Sequence, residues 1–173
     1  MKDKSNKIVY KNPHGYAAWP DIKILQNGEW VIAFCEAMAR PRLVHRDPTF
    51  LNVLIRSKDR GETWDRFPQV VGGYEYYGMD DPGLVQRSSG DLLLNTMHFQ
   101  YVSKDTAERV PRYANWLRHD FYPWAYKHGD TLVFRSTDGG HTWGEPVTVD
   151  VTPFDSGCTL RPILELADGS MLV

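Results

Sequence analysis

Two adjacent carboxylates, Asp80 and Asp81, are the residues whose types and spacing most directly indicate chemistry. They precede a Pro-Gly pair and a short apolar run, so they are predicted to lie at the start of a strand. Neighbouring carboxylates can bind sugar hydroxyls, and their repulsion holds their two pKa values apart. The alternative is that the pair only caps the start of the strand, and the sequence leaves both interpretations open.

Four arginines could bind an acidic ligand. Arg40, Arg42 and Arg46 lie together in the Pro- and Arg-rich stretch 38–48, and Arg161 lies in a later segment. A guanidinium binds a carboxylate through two parallel hydrogen bonds, which makes arginine the natural residue for this task. The alternative for each of them is a solvated surface charge.

A repeated octapeptide indicates which elements position these residues. It occurs as SKDRGETW over 57–64 and as STDGGHTW over 136–143, and each copy follows an apolar run. Ser and Asp side chains can accept hydrogen bonds from backbone N–H groups in a turn, Gly permits a positive φ, and Trp can pack between sheets. The pattern predicts a strand, a turn and a second strand. The turn positions are Ser57, Asp59, Gly61, Trp64, Ser136, Asp138, Gly140 and Trp143.

Three hairpin signals divide the chain into similar units. Asn27-Gly28, Ser89-Gly90 and Asp168-Gly169 each separate two apolar runs, and Asn-Gly favours a type I′ turn because both central residues need positive φ. Repeats of this length with two hairpins each predict an all-β fold, a β-propeller of four-stranded antiparallel blades. One blade is predicted over 16–71, a second over 76–150 with an insertion at 100–128, and the start of a third over 157–173, in a single domain 1–173.

The octapeptide resembles the Asp-box (BNR) repeat of the sialidase-like (neuraminidase) superfamily, whose members are six-bladed propellers. The resemblance implies that the chain is the N-terminal portion of such a ring, with about two and a half blades. In that family the boxes lie on the face opposite the active site, so Asp59 and Asp138 are interpreted as turn residues. Because open blades expose apolar faces, we expect further blades or self-association to close the propeller.

The resemblance also implies a catalytic residue. In sialidases an Asp in the loop ten residues before the box serine is the general acid/base, and Asp47 occupies that place. A carboxylic acid there could protonate a glycosidic oxygen if its surroundings raised its pKa. The alternative is that Asp47-Pro48 only shapes a turn. The sequence departs from the family at Ala18-Trp19-Pro20, where sialidases have an Arg-Ile-Pro motif whose arginine binds the substrate carboxylate.

The expected function is hydrolysis of a terminal sugar, which need not be sialic acid. The alternatives are a non-catalytic propeller that binds carbohydrate or protein, and an inactive fragment. Tyr74, Tyr76 and the aromatic residues of the insertion could stack on sugar rings or could form a core between blades. The residues expected to bind the carbohydrate ligand are Arg40, Arg42, Arg46, Asp80, Asp81, Arg161, Trp19 and Tyr77.

Composition narrows the function classes. A formal net charge of -2 and a pI of about 6.3 give no electrostatic argument for binding nucleic acid or an anionic membrane. The six histidines show no metal-ligand spacing, so no metal or cofactor is expected. The segment 1–11 has no apolar run and no stretch is long enough to span a membrane, which leaves the compartment open. Cys35 and Cys158 are predicted to be buried thiols.

Overall fold

The structure is a computed structural model that describes residues 6–42, 46–73, 75 and 77–173, so Tyr74 and Tyr76 lie outside the described residues. Apart from one short α-helix and one 3-10 helix, the described elements are β-strands, which confirms the all-β class. The strands form two large antiparallel sheets and one small hairpin, consistent with part of a β-propeller. In this part of the chain no helix is long and apolar enough to cross a membrane.

Sheet A contains the first four strands in sequential order, β1-β2-β3-β4. Its first two strands pair in an antiparallel register that is interrupted by a bulge between Ala18 and Asp21. The strands are β1 (Gly15–Ile24), β2 (Trp30–Met38), β3 (Leu51–Ser57) and β4 (Gln69–Val70).

Sheet B repeats this arrangement, and its second and third strands are longer than those of sheet A. Its order is β5-β6-β8-β7, β9 also pairs with β8, and a bulge between Asp80 and Gly83 matches the one in sheet A. A separate hairpin, β10-β11, follows. The strands are β5 (Met79–Gln86), β6 (Leu92–Ser103), β7 (Leu117–Arg118), β8 (Trp124–Ser136), β9 (Val147–Thr148), β10 (Leu164–Glu165) and β11 (Met171–Leu172).

The insertion at 100–128 is largely an extension of sheet B. β6 and β8 remain paired up to Ser103 and Trp124, and a helix, α1 (Lys104–Arg109), caps the extension. The Ser103 hydroxyl accepts a hydrogen bond from the Thr106 backbone N–H at 3.0 Å, which is the usual way to satisfy a helix N-terminus. The extension therefore projects beyond the end of sheet A as an ordered, paired ribbon.

The main core lies between sheets A and B. Because side chains alternate across a strand, Val31 and Ala33 of β2 point to one face, and both are fully buried. They belong to one apolar cluster with Leu84, Leu94 and Phe134 of sheet B. This packing places β1 and β5 side by side, and the loops at their ends are brought together.

The three predicted hairpin turns share one geometry. Gly28, Gly90 and Gly169 have φ of 87°, 95° and 82°, a region that favours glycine. Each of these glycines donates its N–H to the carbonyl three residues earlier, at 2.8–2.9 Å. The hairpin β10-β11 is therefore a third copy of the unit that opens sheets A and B.

The two octapeptides fold into closely similar turns. In the second, the Ser136 hydroxyl donates to Asp138 at 2.8 Å and accepts from the Gly140 N–H at 2.7 Å. Asp138 also accepts from the Thr142 N–H and hydroxyl, at 2.9 and 2.6 Å, and these bonds hold the pKa of Asp138 well below its usual value. In the first turn, the Thr63 hydroxyl and N–H lower the pKa of Asp59 to about 2. Both carboxylates are occupied inside their turns.

The octapeptide turns and the loop between β2 and β3 lie at opposite ends of sheet A. Gly61 of the first octapeptide lies against Trp30 at the start of β2, next to the hairpin turn, whereas the loop between β2 and β3 lies at the other end of sheet A.

Cys35 is buried below that loop, but Cys158 is exposed, so its predicted burial is wrong. Cys158 lies in a segment that no further strand covers among the described residues.

Replacing Ser136 tests the turn hydrogen bonds. We expect Ser136→Ala to lower the free energy of unfolding by about 1–3 kcal/mol, because the buried Gly140 N–H loses its acceptor. Urea denaturation of the variant gives this value. Ser89→Ala, at an exposed position of the Gly90 turn, is the control and should change stability little. Equal effects of the two substitutions on stability would contradict the role given to the Ser136 hydroxyl.

Candidate functional site

Two buried carboxylates, Asp47 and Asp80, lie at the end of the sheets opposite the turns. Their exposed fractions are 0% and 1%. Each is paired with an arginine of the loop between β2 and β3, here called the arginine loop (residues 38–42 and 46–48): Arg40 pairs with Asp47, and Arg46 with Asp80. A buried carboxylate is stable only when its charge is compensated or neutralised by a proton, and the two sites use different solutions.

Asp47 is held in the ionised form. Burial alone would raise its pKa, but hydrogen bonds from the Arg40 guanidinium and from Thr49 outweigh it, so the pKa of Asp47 is lowered. Arg40 Nε and Nη2 bind the two carboxylate oxygens, and the Thr49 N–H and hydroxyl donate to Oδ1 at 2.9 and 2.7 Å. The contacts with Thr49 are those expected if Asp47-Pro48 only shapes a turn. The contact with Arg40 is a two-point guanidinium–carboxylate pair.

Asp80 has the opposite shift. Burial raises its pKa to about 7, and the nearby Asp81 adds to the rise although Arg46 opposes it. The Asp81 N–H donates to Asp80 Oδ1 at 3.1 Å, and the buried thiol of Cys35 lies 3.9 Å from the same oxygen. A carboxyl group with a pKa near neutrality can both accept and donate a proton under physiological conditions.

Aromatic side chains of sheet B and of the loop between β7 and β8 lie against the arginines of the arginine loop. The guanidinium carbons of Arg46, Arg40 and Arg42 lie 4.5, 5.0 and 5.4 Å from ring centres. The rings are those of Phe99, Trp124 and Phe121, respectively. These cation–π contacts orient the guanidinium groups, and the Phe99 ring helps to shield the Arg46–Asp80 pair, whereas Arg40 remains about one-third exposed.

A hydrogen bond ties the two layers together, since the Trp124 indole N–H donates to the Arg46 carbonyl at 3.0 Å. Phe99 was not among the predicted site residues, and Trp124 was considered only as one of the aromatic residues of the insertion. Nothing in the sequence reveals which rings face the loop.

A small polar pocket of about 160 Å³, here called the proline pocket, lies where the openings of the three hairpins meet. Trp19 and Asp81 contribute to it from the bulges of β1 and β5, with φ of 50° and 51°, and each precedes a proline. Arg161 enters from the third segment. Left-handed backbone in two non-glycine residues at matching positions is strained and recurs at functional sites. The lining residues are Trp19, Pro20, Asp21, Asp81, Pro82, Leu160, Arg161 and Pro162.

The third segment reaches the proline pocket through buried Asn95. Its side-chain amide donates to the Arg161 carbonyl at 2.9 Å and accepts from the Ile163 N–H at 3.1 Å. Gly83 is required at the same contact, because a Cβ there would lie 2.6 Å from the Cα of Pro162. Sheet B therefore fixes the backbone that carries Arg161.

The predicted site residues fall into three places. Asp47, Asp80 and the three arginines of the arginine loop form one cluster, and Trp19, Asp81 and Arg161 line the proline pocket. The adjacent residues Asp80 and Asp81 connect the two. Tyr77 belongs to neither, because it lines a separate pocket of about 420 Å³ with Glu36 and Thr49. Among the described residues, no group of His, Cys, Asp and Glu side chains could hold a metal ion.

The pair Arg46–Asp80 generates a pH-dependent prediction. Arg46→Met should destabilise the fold by about 1–2 kcal/mol more at pH 8 than at pH 5, because at pH 8 the buried Asp80 carboxylate loses its partner and must take up a proton. The pKa of Asp80 is about 7 in the folded protein, above the value of about 3.9 for an unfolded Asp. Asp80 is therefore protonated at pH 5, where the loss should be smaller. Denaturation at both pH values measures the difference.

Arg42→Met is the matched control for this measurement. Arg42 stacks on Phe121 but is exposed, so its replacement should have a small effect of similar size at both pH values. A loss of stability for Arg46→Met that is the same at pH 5 and pH 8 would contradict the role given to Asp80.

Comparisons with known proteins identify a shared fold. No protein-family model and no curated protein matches the chain. It is similar to the crystal structure of a protein of unknown function from Dyadobacter fermentans, with 25% identity and a TM-score of 0.75 over 95% of this chain and 47% of that chain. It is also similar to the Hadza microbial sialidase Hz136, with 15% identity and a TM-score of 0.60 over 90% of this chain and 31% of that chain. The chain thus spans about half and about a third of these proteins, and the likeness to the sialidase supports a sialidase-like fold.

Proposed function

We propose that the protein is a sialidase-like glycoside hydrolase, built on part of a six-bladed Asp-box propeller, that releases a terminal sugar. The observation that carries the proposal is the pair of buried carboxylates, Asp47 and Asp80. Each of them pairs with an arginine of the arginine loop, and the pKa of Asp47 is lowered whereas the pKa of Asp80 is raised. Glycoside hydrolysis needs one carboxyl group that is ionised and one that can carry a proton. The structural likeness to a sialidase supports this choice among reactions.

The proline pocket is the proposed place of the terminal sugar. Asp81 can accept hydrogen bonds from sugar hydroxyls, Arg161 can bind a carboxylate, and Trp19 offers an aromatic wall. Ala18 stands where sialidases have the first arginine of their motif, so the sugar is proposed to be uronic or neutral rather than sialic acid. The arginines of the loop would bind any acidic group that extends towards them.

Asp47 is proposed as the general acid/base. In the free protein Asp47 is ionised and Asp80 is the carboxyl group that can carry a proton, so Asp47 has to take up a proton when substrate binds, and Arg40 links the two events. The Arg40 side chain is about one-third exposed, whereas the Asp47 side chain is buried. A substrate carboxylate that draws Arg40 away would remove one of the two residues that keep Asp47 ionised. The pKa of Asp47 would then rise, because burial would be opposed only by the two hydrogen bonds from Thr49.

Replacement of Asp47 tests the proposal. Asp47→Asn should lower turnover of methyl glycosides, including the glucuronide and the sialoside, by about 10²–10⁴-fold, because their poor alkoxide leaving group needs the proton donor that is lost. Binding of the intact glycoside should persist, as measured by isothermal titration calorimetry. Asp105→Asn, at an exposed carboxylate of α1, is the control and should leave turnover unchanged. Unchanged turnover in Asp47→Asn would remove this residue from the mechanism.

A non-catalytic carbohydrate-binding function is the second candidate. It is favoured by the contacts of Asp47 with Thr49 and Arg40, which fully engage the carboxylate in the free protein. This function predicts that the wild-type protein binds the same glycosides without hydrolysing any of them. A hydrolysis assay of the wild-type protein with these glycosides therefore distinguishes the two candidate functions.

A further inference from the structure

A tryptophan of the insertion, Trp124, contacts both arginines that hold the buried carboxylates. Its indole N–H donates to the backbone carbonyl of Arg46 at 3.0 Å, and its ring centre lies 5.0 Å from the guanidinium carbon of Arg40. Arg46 pairs with Asp80, and Arg40 pairs with Asp47. One side chain therefore contacts a residue of each ion pair.

The hydrogen bond to Arg46 acts at the point where the two ion pairs meet in the chain. The Arg46 carbonyl belongs to the peptide group that joins Arg46 to Asp47. The side chain before this peptide group pairs with Asp80, and the side chain after it pairs with Arg40. Because a peptide group is planar, a bond that holds its oxygen also restricts the directions of both neighbouring side chains.

Trp124 is itself held on a rigid part of sheet B. It pairs with Ser103 at the end of the ladder between β6 and β8, where helix α1 begins. Beside this pair, the Lys104 N–H donates to the Pro123 carbonyl at 3.3 Å. The Tyr122 ring stacks on Trp124 with the ring centres 5.5 Å apart. A side chain that is fixed by paired strands and by a packed neighbour can hold another loop in place.

An alternative role for Trp124 is to stack on a sugar ring. Its exposed fraction is only 7%, and Tyr122 and the guanidinium of Arg40 lie against the ring. Stacking on a sugar needs an exposed aromatic face, which Trp124 does not offer. A buried indole usually finds a partner for its N–H group, and here that partner lies in the arginine loop.

We propose that Trp124 is a positioning residue of the candidate site, which holds the arginine loop so that Arg40 and Arg46 stay against their carboxylates. Its importance for catalysis rests on the proposed function, but the contacts themselves involve no substrate. The insertion at 100–128 thereby gains a role, because it carries Trp124 to the arginine loop.

Titration of the aspartate side chains, followed by carboxyl-carbon NMR of aspartate-labelled protein, tests the proposal. Trp124→Phe keeps an aromatic ring but removes the N–H donor, so Arg46 should be held less firmly against Asp80. The pKa of Asp80 should then rise above about 7, because Arg46 opposes the effect of burial less. The pKa of Asp47 should stay low in this variant, since Thr49 still donates two hydrogen bonds to it.

Trp124→Leu removes the ring as well as the N–H group. We expect this variant to raise the pKa values of both carboxyl groups, because Arg40 also loses the aromatic surface that orients it towards Asp47. Trp116→Phe is the matched control, since it makes the same substitution in the same insertion at a ring that packs against Tyr113. It should leave both titrations unchanged.

A second measurement leaves Trp124 itself intact. The indole N–H resonance of Trp124 should shift with a midpoint near the Asp80 pKa of about 7, because Arg46 contacts both groups. Asp80→Asn should abolish this shift, which separates it from the titration of the histidines of the insertion, such as His119. The resonance of Trp116 should not follow the titration of Asp80.

Titrations of Asp47 and Asp80 that are the same in folded Trp124 variants as in the wild type would overturn the proposal and leave Trp124 as a core residue of sheet B. Equal shifts in Trp116→Phe would overturn it as well. Far-ultraviolet circular dichroism shows whether each variant is folded. If neither Trp124 variant folds, an indole N–H resonance that does not respond to Asp80 overturns the proposal. These titrations need no substrate, so their result does not depend on whether the protein hydrolyses glycosides.

Discussion

The apolar contact between sheets A and B is the constraint on which the rest of the structure depends. Val31 and Ala33 of one sheet and Leu84 and Phe134 of the other lose all contact with water there. Burying apolar side chains is the dominant favourable term in folding, and it is maximal when the sheets stack face to face. This stacking brings the arginine loop of sheet A beneath the extended ribbon of sheet B. Neither sheet alone contains the candidate site.

Burial also explains the electrostatics of the site. A carboxylate that is removed from water must gain compensating bonds or take up a proton. Asp47 gains them from Arg40 and Thr49, and its pKa falls, whereas burial dominates at Asp80, the repulsion of Asp81 adds to it, and the pKa rises to about 7. The Phe99 ring over Arg46 strengthens the Arg46–Asp80 pair, because it keeps water away from the charges.

Aspartates at the two ends of the sheets show how environment assigns a role. Asp59 and Asp138 are exposed at one end, and their oxygens are occupied by hydroxyl and N–H groups of their own turns. Asp47 and Asp80 at the other end are buried and bonded to arginines. The first pair stabilises the turns of the fold, whereas the second pair places buried carboxyl groups at the candidate site.

The sequence by itself determined the local elements of this protein. Asn27-Gly28 and its two counterparts specify hairpin turns because few residues tolerate positive φ. The apolar runs on either side of these turns indicated the strands, and the repeated octapeptide indicated where turns form. These features depend on residues close in the chain, so they could be predicted, together with the all-β class and its resemblance to part of a propeller.

Only the tertiary structure decided which distant residues meet. Arg46 lies far from Asp80 and Phe99 in the chain, and nothing in the spacing of these residues reveals their contact. The same holds for Tyr77, which was expected in the main site and lines another pocket. The pKa shifts and the proline pocket depend on burial and on the stacking of sheets, which are properties of the whole fold and not of any short segment.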